Sequence, residues 1–430
     1  PYVPLNYRLT PAECVALLER VAPAVLVSSH EYATRLTLPA GITLLDREVF
    51  LEQARAPGAE QVTQAPGEPD SVAIQLFTSG TTGRPKAAVL RHQNVLAYIL
   101  GTVEFGSAAD DDAALMSVPP YHIAGIAAVF SATYAARHMV QLPNFDPATW
   151  LALCHVHRIT STFVVPTMLA RVIEHLESTG TAANVPALRA VAYGGGKMPL
   201  PVIEKAMRLF PGVDFTNAYG LTETSSTIAL LGPQDHRDAF ASDDEKTRKR
   251  LVSVGQPLPT VEVKVVDADT GRVLGPGEHG LIHVRGEQVS GEYRGKGSQL
   301  DAEGWFNTRD GGYLDEGGFL FLEGRMDDVI VRGGENMSPG EIEDVLLTHA
   351  AVIDACVVGV PDEQWGEAVA AVVVLSPTAQ VAPSELQQWV KDRLRSSRTP
   401  ERIEFWSELP YNETGKLLRR KVREALRENG

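Results

Sequence analysis

The chain has 430 residues, enough for two or three domains, and its 44% hydrophobic and 22% charged residues are typical of soluble globular proteins. Its formal net charge of -15 at pH 7 argues against general nucleic-acid binding, so positive charge for an anionic ligand must be local. Three widely spaced cysteines indicate a reducing compartment, and no apolar run is long enough to span a bilayer. We therefore expect a cytoplasmic protein without an integral membrane segment or a nucleic-acid partner.

Strands and helices alternate through the first half of the chain. The pattern predicts a helix at 11–20, a strand at 24–28, an exposed loop at 52–70, a buried strand at 72–77 and a helix at 91–100. Further strands are predicted at 113–118, 139–142, 161–165, 188–193 and 213–215, with helices at 122–136, 147–158, 167–178 and 200–210. This rhythm predicts parallel sheets covered by helices on both faces, with ligands at the carboxyl ends of the strands.

The pattern changes after residue 250. Period-two alternation with glycine-bearing turns predicts antiparallel hairpins at 261–266 and 280–285 and a strand at 318–322, which form a small β-barrel or sheet. Beyond 324–328 a compact α+β pattern follows, with helices at 340–349, 383–395 and 417–427 and strands at 352–360, 368–375 and 402–406. The predicted fold class is α/β: a large N-terminal domain of parallel-sheet α/β subdomains plus a small β-barrel, then a small α+β C-terminal domain.

The segment Thr78-Ser-Gly-Thr-Thr-Gly-Arg-Pro-Lys86 follows the buried strand at 72–77. It offers backbone N–H groups, hydroxyl donors and one cation, and its glycines allow close approach, so it predicts a cradle for a polyphosphate. The common phosphate loop needs lysine directly after the second glycine, whereas Arg84 and Pro85 intervene here. An ordinary P-loop NTPase is therefore disfavoured, and a flexible linker would need neither the preceding strand nor the Pro-Lys pair.

A second candidate segment is Asn217-Ala-Tyr-Gly-Leu-Thr-Glu223. Tyr219 offers a ring on which a purine can stack, and Thr222 offers a hydroxyl to a phosphate. Glu223 offers a carboxylate to Mg²⁺, which binds through one or two carboxylates plus phosphate oxygens. Each residue alone has an ordinary surface interpretation, and the combination is what indicates a nucleotide site.

Four more segments could carry chemistry. Pro119-Pro-Tyr-His122 and Tyr193-Gly-Gly-Gly-Lys-Met-Pro199 each follow a strand, although a lone histidine is often structural and the glycines could form a simple strand-to-helix loop. Asp310 could accept hydrogen bonds from ribose hydroxyls. Lys416, in Tyr411-Asn-Glu-Thr-Gly-Lys416, could otherwise be a surface lysine.

These motifs, in this order over nearly the whole chain, resemble the adenylate-forming (ANL) superfamily, in its branch of acyl-CoA synthetases and AMP-dependent carboxylate–CoA ligases. The resemblance implies that Lys416 is the catalytic lysine, bridging the substrate carboxylate and the α-phosphate. His122, Thr222 and Glu223 are the other implied catalytic residues, and Glu223 and Thr81 the implied metal ligands. The first ten residues resemble an internal segment of the superfamily, so we expect an N-terminal part to precede Pro1.

The resemblance also assigns the remaining site residues. The implied nucleotide-binding residues are Thr78, Ser79, Gly80, Thr81, Thr82, Gly83, Lys86, Gly195, Gly196, Asn217, Ala218, Tyr219, Gly220, Thr222, Asp310, Arg325 and Lys416. The implied acyl pocket consists of His122, Ile123, Gly125, Tyr193, Gly194 and Gly195. The N-terminal domain would span residues 1–326, and the mobile C-terminal domain, residues 327–430, would turn about a hinge at Asp327. That rotation would bring Arg332, Gly333 and Gly334 to the site for thioester formation.

The implied activity is ATP- and Mg²⁺-dependent activation of a carboxylic acid, followed by transfer to CoA. Amino-acid-activating relatives carry Asp where this chain has His122, which favours a fatty or aryl acid, as in fatty acid metabolism, over an α-amino acid. Arg309 stands where superfamily members usually have glycine before the ribose-binding aspartate. Two alternatives are transfer to the phosphopantetheine of an acyl carrier protein and a nucleotide-binding protein without catalysis.

Overall fold

The computed structural model describes residues 1–57, 67–78, 85–333, 335–377, 379–412 and 417–428. The first elements form a small layer around two parallel strands: α1 (Pro11–Val21), β1 (Ala24–Ser28), α2 (His30–Ala33), β2 (Ile42–Asp46) and α3 (Arg47–Arg55). A capping box begins α1, because Thr10 accepts from the Glu13 N–H and the Glu13 carboxylate accepts from the Thr10 N–H. The predicted loop at 52–70 is wrong for its first residues. Asp46 caps α3, which continues to Arg55.

The strand before the glycine-rich segment is half of an antiparallel hairpin. β3 (Val72–Thr78) pairs with β4 (Lys86–Arg91), and the short strands β14 (Glu292–Tyr293) and β15 (Gly297–Ser298) complete a four-stranded sheet. β4 is absent from the sequence prediction, which expects a parallel arrangement here. Its residues Ala87–Leu90 are buried, so β4 is an inner strand of the sheet.

A seven-stranded sheet forms the centre of the chain, in the order β11-β10-β9-β8-β7-β5-β6. Its strands are β5 (Ala113–Met116), β6 (His138–Gln141), β7 (Ser161–Val164), β8 (Ala190–Gly194), β9 (Asp214–Leu221), β10 (Ser226–Leu231) and β11 (Gln256–Pro257). The strands β5 to β9 are mutually parallel, as predicted, whereas β10 and β11 run antiparallel.

Helices connect and cover these strands. The alternation predicts α4 (His92–Thr102), α5 (Ile123–Tyr134), α6 (Pro147–Val156), α7 (Pro166–Thr179) and α8 (Leu200–Leu209), whereas α9 (Pro233–Ala241) and α10 (Glu245–Lys249) are absent from the sequence prediction. Proline occupies the first turn of α6, α7 and α8, where its missing N–H costs nothing. Trp150, Ile203 and Phe215 are fully buried in the core between these helices and the sheet.

The hairpins predicted after residue 250 are confirmed. β12 (Glu262–Val266), β13 (Gly280–Arg285), β16 (Phe306–Leu314) and β17 (Leu320–Arg325) form a four-stranded antiparallel sheet. The register between β13 and β16 shifts, so that residues 308–310 lie opposite Ile282 alone. Asp310 lies in this bulge, is buried and accepts a hydrogen bond from Tyr219, and bulges are common beside binding sites.

The last part of the chain is the predicted α+β unit. Its elements are β18 (Ile330–Arg332), β19 (Glu335–Met337), α11 (Pro339–Leu347), β20 (Val352–Asp362), β21 (Gly366–Leu375), α12 (Pro383–Lys391), β22 (Arg402–Phe405) and α13 (Arg419–Glu428). Alternate residues of β20 and β21 point to two separate apolar clusters, one with α11 and α12 and the other with α13. The hairpin β18–β19 is the element that the sequence pattern misses.

The C-terminal unit contacts the large domain through α11. Lys197 Nζ lies 2.5 Å from Asp344 Oδ1, and the Ser338 hydroxyl donates to Glu323 O at 2.5 Å. A Cβ at Gly340 would lie 2.3 Å from the same carbonyl oxygen, so only glycine allows this backbone approach.

The α/β fold class is confirmed, and the boundary after residue 326 stays a prediction. No helix in the described residues is long and apolar enough to cross a membrane.

Candidate active site

Thr78 and Lys86 stand at the connected end of the β3–β4 hairpin, on either side of the segment that joins the two strands. They are register partners, and the Thr78 hydroxyl donates to Lys86 O at 3.4 Å. Five of the predicted phosphate-binding residues between them lie outside the described residues: Ser79, Gly80, Thr81, Thr82 and Gly83. Lys416 and Gly334 also lie outside the described residues. The structure therefore gives the two ends of the predicted phosphate cradle.

Lys86, Tyr293 and Glu223 form one group of contacts. Lys86 Nζ lies 5.6 Å from the centroid of the Tyr293 ring, and the Tyr293 hydroxyl donates to Glu223 Oε1 at 2.5 Å. Burial and the nearby Glu223 carboxylate raise the pKa of Tyr293 well above its usual value, so the hydroxyl keeps its proton. The predicted metal ligand is thus oriented by a tyrosine, and the predicted phosphate-binding cation lies over the ring of the same tyrosine.

The turn that carries Glu223 is held by hydrogen bonds to its backbone groups. Thr222–Thr224 form a single 3-10 turn, in which the buried Thr224 hydroxyl bonds to Leu221 and Ser226. The Glu223 carbonyl accepts from Ser290 N and Gly291 N at 2.9 and 3.0 Å. Since Ser290 and Gly291 directly precede β14, the same hydrogen bonds bring Tyr293 to Glu223.

A second group joins Tyr219, Asp310 and Arg325. The Tyr219 hydroxyl donates to Asp310 Oδ2 at 2.6 Å, and Arg325 Nε lies 3.1 Å from Asp310 Oδ1. Burial and the Asp310 carboxylate raise the pKa of Tyr219. Burial acts to lower the pKa of Arg325, and the charges of Asp310 and Glu223 outweigh it and raise the pKa. Tyr219 is 8% exposed, so only a small part of its ring is open to a ligand.

The segment 217–220 lies within β9, whereas the sequence prediction ends that strand at residue 215. The Asn217 side chain donates to Ser253 O at 2.9 Å and is buried. A Cβ at Gly220 would lie 1.8 Å from Ser226 O, so glycine is required for the pairing with β10. Ala218 follows Asn217 in the same strand, and Thr222 follows directly after its end.

His122 is the N-terminal capping position of α5, which begins at Ile123. Its ring lies against Tyr121, with 4.5 Å between the ring centroids. A Cβ at Gly125 would lie 2.3 Å from Pro119 O, so glycine lets α5 approach the chain that leads to His122. The three predicted acyl-pocket residues of this segment are therefore neighbours at one end of the central sheet.

The other predicted acyl-pocket residues stand at the carboxyl end of β8. Gly194 is required there, because a Cβ would lie 2.2 Å from Ala218 O, and Gly195 has a positive φ of 80° before Gly196. Tyr193 is fully buried, and its hydroxyl lies 2.8 Å from Nε2 of His236. The Tyr193 ring therefore lies in the core, and its contribution to the pocket would be to fix the backbone of the glycines.

The pair of Tyr193 and His236 has one consistent arrangement of protons. His236 Nδ1 lies 2.8 Å from the Gly232 carbonyl, which only accepts, so Nδ1 carries the proton. Nε2 then accepts from the Tyr193 hydroxyl. Burial lowers the pKa of His236 to about 4, so the neutral ring that this arrangement needs is present at neutral pH.

The residues predicted for thioester formation lie apart from these groups. Arg332 Nη2 is 2.5 Å from Glu401 Oε1, and its guanidinium lies 5.1 Å from the centroid of the Trp365 ring. Gly333, with a φ of 58°, donates its N–H to Trp365 O at 2.8 Å. Asp327 belongs to the 3-10 turn between β17 and β18, and its role as a hinge stays a prediction.

Sequence reasoning missed Tyr293. A tyrosine in Gly-Glu-Tyr-Arg carries no motif by itself, and its partner Glu223 is 70 residues away. The available signal was its place just after the hairpins, which was not sufficient to link it to the metal ligand. The two described groups place carboxylates, a lysine and an arginine at the start of β4, just after β9, in the bulge of β16 and at the end of β17.

Two family models match the chain. The model described as AMP-binding enzyme matches residues 1–294, and the model of the AMP-binding enzyme C-terminal domain matches residues 341–416. The chain belongs to the AMP-binding enzyme family. The predicted resemblance to adenylate-forming enzymes is thereby confirmed for this AMP-binding enzyme.

Curated relatives include two different kinds of ligase. The fatty acid–[acyl-carrier-protein] ligase ScoC of Streptomyces coeruleorubidus is 33% identical over 98% of this chain and 81% of its own length. A 2-succinylbenzoate–CoA ligase of Bacillus pumilus is 33% identical over 97% of this chain and 82% of its own length. A feruloyl-CoA synthase of an Amycolatopsis species is 31% identical over 98% of this chain and 83% of its own length.

Solved structures of the same family superpose on the AMP-binding enzyme. The o-succinylbenzoate CoA synthetase of Bacillus subtilis, with its acyl-adenylate intermediate, gives a TM-score of 0.80 at 30% identity over 98% of this chain and 82% of that chain. ATP-bound MatB from Rhodopseudomonas palustris gives 0.86, and apo MatB gives 0.74, both at 27% identity over 100% of this chain and 84% of MatB. By TM-score, the overall structure of this chain is therefore more similar to ATP-bound MatB than to apo MatB.

Proposed function

We propose that this AMP-binding enzyme is an AMP-forming acid–thiol ligase. It activates a carboxylic acid with ATP to an acyl-adenylate and then transfers the acyl group to CoA, giving an acyl-CoA thioester. The observation that carries the proposal is that Tyr293 joins two predicted site residues: its hydroxyl donates to the Glu223 carboxylate, and Lys86 lies over its ring. A carboxylate for a metal ion and a cation for phosphate oxygens, on the two sides of one tyrosine, are what a metal-bound polyphosphate needs.

In the first half-reaction a carboxylate oxygen of the acid attacks the α-phosphorus of ATP. The bond to the β-phosphate oxygen breaks, and pyrophosphate leaves. Lys86 would hold the phosphates, and Asp310 with Arg325 would hold the ribose. Glu223 fits a Mg²⁺ ion carried by ATP, because one carboxylate plus phosphate oxygens is a usual magnesium site, and the ion would neutralise phosphate charge. Lys416 would stabilise the negative charge that develops at the α-phosphate.

In the second half-reaction the thiolate of CoA attacks the acyl carbonyl, and AMP leaves. Arg332, Gly333 and Gly334 would reach the site after rotation of the C-terminal domain, residues 327–430, about Asp327. Arg332 now contacts Glu401 and Trp365, and Gly333 also bonds to Trp365. These contacts within one domain support the proposal that the segment moves with that domain.

The proposed acid is fatty or aryl and lacks an α-amino group. The relatives named for 2-succinylbenzoate, ferulate and fatty acids support this class. In this chain, His122 takes the place where amino-acid-activating relatives carry aspartate, and α5 begins with small residues behind it. We also propose a cytoplasmic location, which the three free and buried cysteines support.

A second candidate acceptor is the phosphopantetheine of an acyl carrier protein. The relation to the fatty acid–[acyl-carrier-protein] ligase supports it. Thioester formation with free CoA and with a loaded carrier protein, measured side by side, separates the two acceptors. A faster reaction with the carrier would replace CoA in the proposal and leave the adenylation step unchanged.

The test of the proposed function is ATP–pyrophosphate exchange across a panel of fatty, aryl and amino acids. We expect exchange that depends on a fatty or aryl acid and on Mg²⁺, and none with amino acids. Exchange with an amino acid would overturn the substrate class. Nucleotide binding without exchange for any acid would favour a nucleotide-binding protein without catalysis.

A further inference from the structure

Arg325, the last residue of β17, is held by the large domain. Its Nε lies 3.1 Å from Asp310 Oδ1, and the two residues are also register partners between β16 and β17. Asp310 is buried, which strengthens the ion pair relative to one in water. The chain therefore belongs to the large domain as far as Arg325.

Asp328, three residues later, is held by the small domain. Its Oδ2 lies 3.6 Å from Arg419 Nε, and its Oδ1 lies 4.0 Å from Arg423 Nη2. Arg419 and Arg423 are four residues apart on α13, so they lie on the same face of that helix. The three side chains are 17% to 26% exposed, so these ion pairs are largely shielded from water.

Helix α13 is in turn fixed within the small domain. Val422 and Leu426 are buried in the apolar cluster that α13 shares with β20 and β21. Arg419 Nη2 donates to Glu343 Oε2 on α11 at 2.6 Å, and Arg419 Nη1 donates to Val357 O on β20 at 2.9 Å. An ion pair with α13 therefore fixes a residue relative to the whole small domain.

The turn between these two groups of ion pairs is short. Met326–Asp328 form one 3-10 turn, and the Val329 N–H donates to Met326 O at 3.2 Å. Ile330 is already fully buried in the apolar cluster that β18 shares with α11 and α12. The change from one domain to the other therefore falls within this turn.

We propose that Asp328 is a positioning residue for the rotation of the small domain. The inference rests on the proposed function, in which that domain turns about Asp327 between the two half-reactions. By holding Asp328 on α13, Arg419 and Arg423 confine the turning point to the residues just before it. A short connection limits the directions in which the small domain can turn, and it thereby favours the orientation that thioester formation needs.

The two half-reactions should respond differently to the loss of the Asp328 ion pairs. By TM-score the chain is more similar to ATP-bound than to apo MatB, and we assign adenylation to the described orientation. Gly340 and the ion pair of Lys197 with Asp344 also hold this orientation, whatever the length of the connection. Rotation separates these contacts. Fixing one more backbone residue then lowers the population of a single orientation about fivefold.

The experiment compares Asp328→Asn with wild type in each half-reaction. We expect thioester formation from a supplied acyl-adenylate to fall about fivefold. In acid-dependent ATP–pyrophosphate exchange, kcat and KM for ATP should stay at the wild-type values. Asp328→Glu keeps the charge on a longer side chain that can still reach both arginines, and we expect it to keep most of the thioester rate. An unchanged thioester rate in Asp328→Asn would overturn the inference.

A second variant tests one of the partners. Arg423→Gln leaves Arg419 in contact with Asp328, so we expect a smaller loss of thioester formation than in Asp328→Asn. The double variant should lose no more than Asp328→Asn alone, because both changes remove the same contact. Losses that multiply in the double variant would show that the two residues act independently, which contradicts the proposed role.

The control is Glu424→Gln on the same helix. Glu424 forms an exposed ion pair with Arg420, with 3.2 Å between Oε1 and Nη1, so this variant removes one negative charge from α13 and leaves Asp328 intact. We expect wild-type rates in both half-reactions. A thioester loss as large as that in Asp328→Asn would refute the inference. A raised KM for ATP in Asp328→Asn would refute it too, because Asp328 would then act through the nearby Arg325.

Fluorescence transfer between labels on α8 and α12 separates the inference from the proposed function. We expect a broader distance distribution in Asp328→Asn than in wild type, and identical distributions would overturn the inference. If wild type catalyses no exchange with any acid, the proposed function fails, and the distance distribution still decides whether Asp328 limits the rotation. If wild type catalyses exchange and Asp328→Asn forms the thioester equally fast, the proposed function stands and the positioning role of Asp328 fails.

Discussion

At the scale of single residues, Tyr293 determines how Glu223 is oriented. Its hydroxyl is the described hydrogen-bond donor to the carboxylate that we propose as the magnesium ligand. A carboxylate without such a donor can rotate, and a metal ion then has to order it during binding. If Glu223 is the magnesium ligand that we propose, the tyrosine lowers the free-energy cost of binding MgATP without contacting the reacting atoms.

We expect Tyr293→Phe to raise KM for MgATP in the exchange reaction by at least about tenfold. The reason is the loss of a hydrogen bond to a charged acceptor, which contributes about 1.5–3 kcal/mol. Steady-state exchange kinetics at varied MgATP provide the measurement. Tyr134→Phe, whose ring packs edge-on against Phe105, is the control and should keep the wild-type KM. An unchanged KM in Tyr293→Phe would contradict the orienting role.

His236 makes the stability of the protein depend on pH. Its folded-state pKa of about 4 lies below the usual 6.5, so the unfolded chain binds more protons as the pH falls. The contribution is fully present above pH 6.5 and is lost as the pH falls toward 4, by about 2 kcal/mol between pH 7 and pH 5. Urea unfolding across this range measures it.

His236→Gln should be less stable than wild type at pH 7 and should lose this part of the pH dependence. His155→Gln, at an exposed position of α6, should keep the wild-type profile. A profile for His236→Gln that runs parallel to wild type would show that His236 is not the titrating group.

At the scale of elements, the bulge in β16 holds Arg309 in a left-handed conformation with a φ of 62°. A side chain at such an angle costs about 1–2 kcal/mol relative to glycine. We expect Arg309→Gly to be about 1 kcal/mol more stable than Arg309→Ala, since both lack the guanidinium and only the alanine retains the strained Cβ. Denaturant unfolding of the two variants provides the comparison, and equal stabilities would show that the bulge relaxes.

The elements also show what the sequence pattern can and cannot predict. Alternation of strands and helices predicts β5 to β8 within a few residues, because each strand lies in a short apolar run between two helical patterns. The pattern ends β9 early, because the polar residue Asn217 interrupts the apolar signal, and it misses β4, whose apolar run Ala87–Leu90 has only four residues. Both strands depend on hydrogen bonds to distant partners, such as that of Asn217 with Ser253.

The same limit applies to the site. Local motifs predict Glu223, Asp310 and Lys86, because their chemistry is visible in a few consecutive residues. Tyr293 contacts a partner 70 residues away, so no local pattern contains it. Sequence reasoning therefore finds the groups that contact a ligand more readily than the groups that orient them.

At the scale of the whole molecule, an ion pair connects the two domains. Lys197 directly follows the glycines after β8, and Asp344 lies on α11 of the small domain, with 2.5 Å between Nζ and Oδ1. The side chains are 37% and 54% exposed, so the pair adds little to folding stability. It does, however, favour this orientation of the small domain over others in which the charges separate.

We expect Asp344→Asn to shift the population of domain orientations in solution. We also expect this population to change less with salt concentration in Asp344→Asn than in wild type. Fluorescence transfer between labels on α8 and α12 measures the distance distribution at low and high salt. Asp392→Asn, at the end of α12, is the charge-matched control and should behave as wild type. Identical distributions for wild type and Asp344→Asn would exclude a role of the pair in orientation.

The backbone approach at Gly340 limits how domains of this family can be exchanged. Its position against the Glu323 carbonyl, next to the hydrogen bond from Ser338, involves main-chain atoms of the large domain. A hybrid enzyme that takes its small domain from a relative therefore needs glycine at this place, whereas the large domain can vary in side chain at 323. Compatibility of such hybrids would depend on one small residue in the incoming domain rather than on overall identity.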